Sequence, residues 1–176
     1  MRFVLCNARS LGNKLQELHY LLYNDNLDVL LITESWLDDT FTSGLLDPEC
    51  KVNIYRKDRN RHGGGVCVFV SKVLRSSEVH IDERFNQLEI LCFDVFTTSA
   101  THRVFVIIDH LELMYSVNYT DGVIQCLSFY CLLSRLNIVT GDLNCPKINW
   151  LTSHVLMIVS TDLCWIALQS MVLPRL

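Results

Sequence analysis

Two polar side chains stand one residue apart directly after a short apolar run late in the chain. Residues 136–140 form that run, Gly141 breaks it, and Asp142 and Asn144 follow. Alternate residues of an extended chain face the same way, so these two side chains would point to one side. A carboxylate can orient and deprotonate a water molecule, and an amide can hold an oxygen of a phosphate. The spacing suits chemistry on a phosphate, but Asp and Asn are also typical of plain turns.

Two earlier apolar runs also end on polar residues. Residues 3–6 end on Asn7, and residues 28–33 end on Glu34, which is either an ordinary turn residue or a carboxylate with a bound partner. Strand ends in layered α/β folds converge, so we expect Asn7, Glu34, Asp142 and Asn144 to meet at one site. Oxygen ligands without a His/Cys cluster indicate Mg²⁺ or Mn²⁺ and metal-assisted hydrolysis of a phosphate ester.

Hydrophobic spacing predicts the elements that position these residues. Asn13 is predicted to cap a helix whose leucines face the core, which gives a strand–helix–strand start with the strand pairing left open. His19 on that helix is interpreted as a packed histidine rather than a ligand. Further strands are expected at 52–55, 66–71, 88–93 and 104–108. A helix capped at Thr120 or Asp121 should precede residue 136, and residues 162–168 could form another helix.

A basic segment, residues 56–62, precedes three glycines, residues 63–65. The glycines permit a tight hairpin-like return, but no Gly-Lys-Ser/Thr follows, so this is not a P-loop. The basic segment is either a solvated loop or an edge that contacts a nucleic-acid backbone.

Length and composition favour one domain, residues 1–176. The net charge of −4 gives no whole-protein case for nucleic-acid binding, nor does it exclude local basic loops. The eight cysteines form no Cys-x-x-Cys and lie mostly in apolar runs, which indicates buried, reduced thiols and an intracellular, nuclear or cytoplasmic protein that is not secreted. The apolar stretch 155–173 contains Asp162 and Gln169, so core is favoured over a membrane span.

Five segments, in this order, resemble the endonuclease/exonuclease/phosphatase superfamily (deoxyribonuclease-I-like). The most similar branch is the apurinic-type endonuclease domain of LINE-like (non-LTR) retrotransposon polyproteins. The segments are Asn7-Ala8-Arg9-Ser10 with Asn13-Lys14, residues 28–37, Tyr55-Arg56-Lys57-Asp58-Arg59, Gly63-Gly64-Gly65-Val66, and residues 141–150.

The resemblance implies an α/β two-sheet sandwich flanked by helices, incomplete at the C-terminus, and a divalent-metal phosphodiesterase that nicks DNA. By position, Glu34 would hold the Mg²⁺ or Mn²⁺ with Asn7 beside it. Asp142 would orient or activate the attacking water, and Asn144 would stabilise the phosphate. The resemblance also implies that Arg59 or Arg61 contacts the DNA backbone, and that the domain was originally fused to a reverse transcriptase.

The chain departs from the family pattern at two motifs. Residues 106–111 stand where the family has a strand running into Tyr-Arg-Pro-Pro, and the family's closing Ser-Asp-His motif is absent. Neither His110 nor His154 matches that final histidine. These departures leave open a truncated, catalytically dead remnant that keeps the fold. The other branches of the same superfamily leave open a phospholipid or phosphoinositide phosphoesterase.

Overall fold

The computed structural model describes residues 1–108, 117–131, 136–142, 165–169 and 171–172, with side chains to residue 108 and at 121–131 and 136–142. These residues form two five-stranded sheets that carry helices. The strands are β1 Phe3–Asn7, β2 Val29–Thr33, β3 Val52–Lys57, β4 Val66–Ser71, β5 Arg75–Glu78, β6 Glu89–Phe96, β7 Thr101–Ile108, β8 Leu136–Asp142, β9 Trp165–Gln169 and β10 Met171–Val172. The α-helices are α1 Leu15–Asn24, α2 Ser43–Leu46 and α3 Val117–Tyr130, with a 3-10 turn at Glu83–Phe85.

The first sheet has the strand order β10-β1-β2-β4-β3. Every residue of β2 is buried, as expected for a nearly continuous apolar run in a central strand. β1 lies parallel to β2, and α1 makes the crossover between them. β4 pairs antiparallel with both β2 and β3, so the glycine segment closes a hairpin as the sequence predicts.

The second sheet has the strand order β5-β6-β7-β8-β9. β6 and β7 form an antiparallel pair, whereas β8 lies parallel to β7 after the α3 crossover. The predicted two-sheet α/β sandwich is confirmed. No helix in the described ranges is long and apolar enough to cross a membrane.

One buried hydrophobic cluster lies between the two sheets. There β-branched residues of β2 and β4 pack against β6 and β7, with Phe93 and Val106 fully buried. Burying a side chain of this size contributes about 1.5–3 kcal/mol. A second cluster lies under α1 around Leu18, and a third lies under α3 around Cys126. The packing of the sandwich therefore determines where β1, β2, β6, β7 and β8 end relative to one another.

Two predicted helix starts are wrong. Lys14, not Asn13, occupies the N-cap of α1 and makes no side-chain cap bond. A turn in which Lys14 N donates to Leu11 O, at 2.9 Å, encloses Asn13 before the helix begins. α3 begins at Val117, so Thr120 and Asp121 lie inside its first turns rather than at its cap.

Three further predictions need correction: one helix, the end of one strand, and one edge strand of the second sheet. The helix expected over 162–168 is wrong where the structure describes it, because Trp165–Gln169 is a strand parallel to β8. Pairing with β8 satisfies its backbone hydrogen bonds. β8 does not stop at Gly141 but continues to Asp142. The sequence missed β5, since Arg75–Glu78 is a polar edge strand without apolar alternation.

Candidate active site

Strand register places the end of β1 in one row with three other residues of the first sheet. Asn7 pairs with Thr33, Thr33 with Val66, and Val66 with Lys57. Glu34 follows Thr33 directly. The parallel β1–β2 pairing thus brings Asn7 and Glu34 to the same sheet edge, as expected for strand ends joined by a helical crossover.

A second row lies at the corresponding edge of the other sheet. Glu89 pairs with Ile108, and Ile108 pairs with Asp142. We call the two rows together the rim: Asn7, Thr33 with the Glu34 that follows it, Val66 and Lys57 on the first sheet, and Glu89, Ile108 and Asp142 on the second.

The two sheets meet at the rim through a side-chain hydrogen bond. Asn7 Nδ2 donates to Asp142 Oδ2 at 2.6 Å, and both side chains are half-buried. Asn7 Oδ1 accepts from the backbone N–H of Arg9 at 3.2 Å. Because both ends of the Asn7 amide are engaged, its orientation and that of the Asp142 carboxylate are fixed.

Glu34 occupies the first position after β2 with a positive φ of 53°. Its Oε2 accepts two hydrogen bonds, from Trp36 Nε1 at 2.7 Å and from Gly64 N at 2.8 Å. Its backbone carbonyl accepts from Ser10 N at 2.9 Å, which ties this turn to the loop after β1. Oε1 receives no hydrogen bond from the described residues, so its lone pairs are available to another partner.

Glu89 is a rim carboxylate that the sequence analysis missed. Its Oε2 accepts from Gly65 N at 3.2 Å, and its Oε1 lies 3.3 Å from Arg59 Nε. The side chain is only 14% exposed. In the sequence, Glu89 is visible only as a carboxylate at the start of an apolar strand. That pattern alone does not distinguish a site residue from an ordinary residue at the end of a strand.

Lys57 adds a cation to the rim. Its Nζ donates to the carbonyl of Leu88 at 2.8 Å, across the two sheets. Burial lowers the pKa of the Lys57 ammonium, and the nearby Glu89 carboxylate opposes that shift. Lys57 and Arg59 therefore surround Glu89 with positive charge.

The two arginines that the resemblance relates to DNA lie in different places. Arg59 lies beside Glu89 at the rim, whereas Arg61 Nε contacts Asp38 Oδ2 at 2.5 Å. Arg61 also packs over the ring of Phe41. The pKa of Asp38 is lowered, first by the hydrogen bond from the Thr40 hydroxyl and further by Arg61. Arg61 is thus held to the loop at residues 38–41.

The remaining predicted residues either lie outside the described residues or have a packing role. Asn144, His110 and His154 lie outside the described residues. His19 is half-buried and its Nε2 lies 3.1 Å from the carbonyl of Leu45, in line with a packed residue. Among the described cysteines, all are free thiols and most are buried, while Cys50 is exposed.

The donors at the rim suit a hard cation that keeps part of its water. Within the described ranges, no three His, Cys, Asp or Glu side chains gather in a metal-binding group. Mg²⁺ is typically held by one or two carboxylates, several waters and substrate phosphates, not by a complete protein cage. A single carboxylate oxygen from Glu34 with an amide oxygen from Asn7 fits that pattern.

Comparisons with known proteins agree with this architecture. The model of the Endonuclease/Exonuclease/phosphatase family matches residues 4–162. No curated protein sequence matches the chain. A 3'-5' exonuclease (NExo) from Neisseria meningitidis superposes with a TM-score of 0.62 at 14% identity, over 82% of this chain and 58% of that one.

Two further solved structures share the fold. An AP endonuclease from Archaeoglobus fulgidus gives a TM-score of 0.60 at 14% identity, over 82% of this chain and 58% of that one. The endonuclease domain of TRAS1, a telomere-specific non-LTR retrotransposon, gives 0.57 at 13% identity, over 80% and 59%. The chain therefore spans somewhat more than half the length of these structures.

Proposed function

Because this chain belongs to the endonuclease/exonuclease/phosphatase family, we propose that its rim is the site of a divalent-metal-dependent phosphodiesterase that nicks DNA. The observation that supports this most is the 2.6 Å hydrogen bond between Asn7 and Asp142, which joins the two sheets next to the strand end that carries Glu34. Asp142 and Glu34 thereby lie at one edge of the sandwich, where we assign the first to acid–base chemistry and the second to the cation.

Glu34 Oε1 and Asn7 Oδ1 would hold the cation, Mg²⁺ or Mn²⁺, since both are hard oxygen donors. When bound, such a cation supplies Lewis-acid polarisation of a phosphoryl oxygen. Asn7 has a second task that follows from its geometry. Its Nδ2 holds Asp142 Oδ2, which leaves Asp142 Oδ1 to orient a water molecule and accept its proton.

Asn144 follows Asp142 by two residues, and we assign it to a phosphate oxygen on the basis of that spacing. Arg59, at the rim beside Glu89, is the better placed of the two arginines for a DNA phosphate. The TRAS1 domain and the ordered sequence motifs both favour a retrotransposon origin, and with it an original fusion to a reverse transcriptase.

Nicking of supercoiled plasmid in Mg²⁺ tests the proposal. We expect the wild-type chain to nick, and Glu34→Ala and Asp142→Ala to be slower by roughly 10²–10⁴-fold, the usual cost of losing one such group. Glu49→Ala is the matched control, because Glu49 is an exposed carboxylate paired with Lys51. Equal nicking by all four proteins would contradict the assignment.

A second candidate is a non-catalytic remnant that keeps the fold and a cation site. Ile108 favours it, because a fully buried apolar residue stands in the rim between Glu89 and Asp142, and Asp109-His110 follows where the family has its tyrosine. Mg²⁺ binding by calorimetry without any cleavage would favour this candidate. Hydrolysis of a soluble phosphoinositide in place of plasmid would favour the phosphoesterase alternative.

A further inference from the structure

The turn after β2 contains two residues in a strained conformation. Glu34 and Trp36 have positive φ angles of 53° and 52°, a region that is strained for residues other than glycine. Backbone hydrogen bonds hold the turn on both sides. Ser10 N donates to Glu34 O and Leu11 N donates to Ser35 O, each at 2.9 Å.

This backbone conformation brings the indole of Trp36 back to the carboxylate of Glu34, two residues earlier. Trp36 Nε1 donates to Glu34 Oε2 at 2.7 Å, and both side chains are half-buried. Gly64 N donates to the same oxygen at 2.8 Å. Two donors on Oε2 and none from the described residues on Oε1 make the carboxylate asymmetric and prevent its free rotation.

The glycine turn that supplies the second donor is itself fixed by this arrangement. Trp36 N donates to Gly64 O and Ser35 N donates to Gly65 O, each at 3.1 Å. A Cβ on Gly65 would lie 2.7 Å from Ser35 Oγ, and Gly65 has a φ of +83°. A glycine at position 65 therefore lets this turn pack closely against Ser35, between Glu34 and Trp36.

We propose that Trp36 is a positioning residue that holds Oε2 of Glu34 away from the cation, so that Glu34 binds through Oε1 alone. The inference rests on the proposed function in assigning the cation to Glu34. One-oxygen binding suits the compact octahedral shell of Mg²⁺, whereas Ca²⁺ accepts two-oxygen carboxylates and higher coordination numbers. Trp36 thus favours Mg²⁺ over Ca²⁺ at the rim.

The test is calorimetric titration of Mg²⁺ and of Ca²⁺ into wild type and Trp36→Phe, which keeps an aromatic ring and removes the N–H. Loss of an outer hydrogen bond to a ligand typically weakens metal binding by about 10–100-fold. We expect a loss of that size for Mg²⁺ and a smaller loss for Ca²⁺, so the ratio of the two affinities falls.

Tyr23→Phe is the matched control. It also removes one donor to a carboxylate, since Tyr23 Oη donates to Asp47 Oδ1 at 2.7 Å. Asp47 Oδ2 accepts from Val52 N at the start of β3, which is the opposite end of that strand from Lys57. Its cation affinities should equal those of wild type. Unchanged Mg²⁺ and Ca²⁺ affinities in Trp36→Phe, with wild type binding Mg²⁺, would overturn this inference and leave the proposed function intact. No Mg²⁺ binding by wild type would overturn both.

A second measurement covers the case in which Trp36→Phe fails to fold. The chain has three tryptophans, so Trp150→Phe and Trp165→Phe identify the Trp36 indole N–H resonance by elimination. We expect substoichiometric Mn²⁺ to broaden that resonance first, and Glu34→Gln to abolish the effect. Selective broadening of another indole, with Trp36 unaffected, would overturn the inference together with the assignment of the cation to Glu34.

Discussion

Asn7 Nδ2 and Asp142 Oδ2 lie 2.6 Å apart although the two residues are 135 positions apart in the chain. One residue ends the second strand from the edge of the first sheet, and the other ends a strand of the second sheet. No local segment contains both halves of the site. The rim therefore exists only when the sandwich is assembled, and its chemistry should be lost with the fold.

The Asn7–Asp142 contact predicts coupling between the two positions. In a double-mutant cycle of Asn7→Ala and Asp142→Ala, we expect an interaction energy of about 0.5–3 kcal/mol in the free energy of unfolding, because each residue is the other's partner. Urea denaturation measures it. In the nicking assay the double variant should lose little more than Asp142→Ala alone, since residues that act as a unit are not additive. Strict additivity in both measurements would show that the contact is not formed in solution.

A side chain at Gly141, the residue before Asp142, should lower the stability of the fold strongly. A Cβ there would lie 1.8 Å from the carbonyl oxygen of Ile107, and Gly141 has a φ of +144°. We expect Gly141→Ala to lower the free energy of unfolding by about 3 kcal/mol, through a backbone clash within the β7–β8 pair.

Gly44→Ala is its control. Nothing lies within 4 Å of a Cβ at Gly44, which is in α2. Here the substitution should be neutral or stabilising by up to about 1 kcal/mol, through reduced freedom of the unfolded chain. Equal effects of the two substitutions would exclude the close approach of β8 to β7.

The buried ion pair of the second sheet predicts another large cost. Arg103 donates to both oxygens of Asp94, at 2.8 and 2.9 Å, and the two side chains are 9% and 6% exposed. Asp94→Ala leaves the Arg103 charge buried, so we expect a loss of roughly 3–5 kcal/mol in urea unfolding. The exposed pair Lys51–Glu49 is the comparison, and Glu49→Ala should cost no more than about 1 kcal/mol. Similar costs for the two variants would mean that Asp94 is solvated.

The raised pKa of Tyr23 predicts that the protein loses stability in alkaline solution. Burial, and then the hydrogen bond to Asp47, raise the pKa of Tyr23 to about 12. A raised pKa means that the folded state holds the proton more tightly than the unfolded state, whose tyrosine has a pKa of about 10. This contribution is complete below pH 10 and is lost as the pH rises through about 12. Urea unfolding across that window should show a smaller decline for Tyr23→Phe than for wild type; parallel declines would contradict the shift.

The fold could be predicted from the sequence where burial imposes a pattern. The run 28–33 is apolar at nearly every position because β2 is covered on both faces, and its end marks Glu34 as the first residue outside the strand. The same reasoning locates Asn7 after β1. By contrast, β5 is polar and the strand Trp165–Gln169 follows a weak pattern, so local preference gave no strand at either place.

The contacts of the site could not be predicted in this way. Glu89 belongs to the rim through the β6–β7 and β7–β8 registers, which depend on long-range pairing. The hydrogen bond from Trp36 back to Glu34 depends on positive φ angles at both residues, and neither Glu nor Trp favours such an angle. Sequence spacing indicated which residues end strands, whereas tertiary structure determines which of them meet.

Iron-mediated cleavage of the chain itself tests most directly that Glu34, Asn7 and Asp142 lie around one cation site. Fe²⁺ bound at the rim, with ascorbate and peroxide, should generate radicals that cut the backbone near residues 7, 34 and 142, and mass spectrometry of the fragments locates the cuts. We predict cuts at all three places, suppression by excess Mg²⁺, and their loss in Glu34→Gln. Cuts near only one of the three, or cuts that persist in Glu34→Gln, would contradict the account.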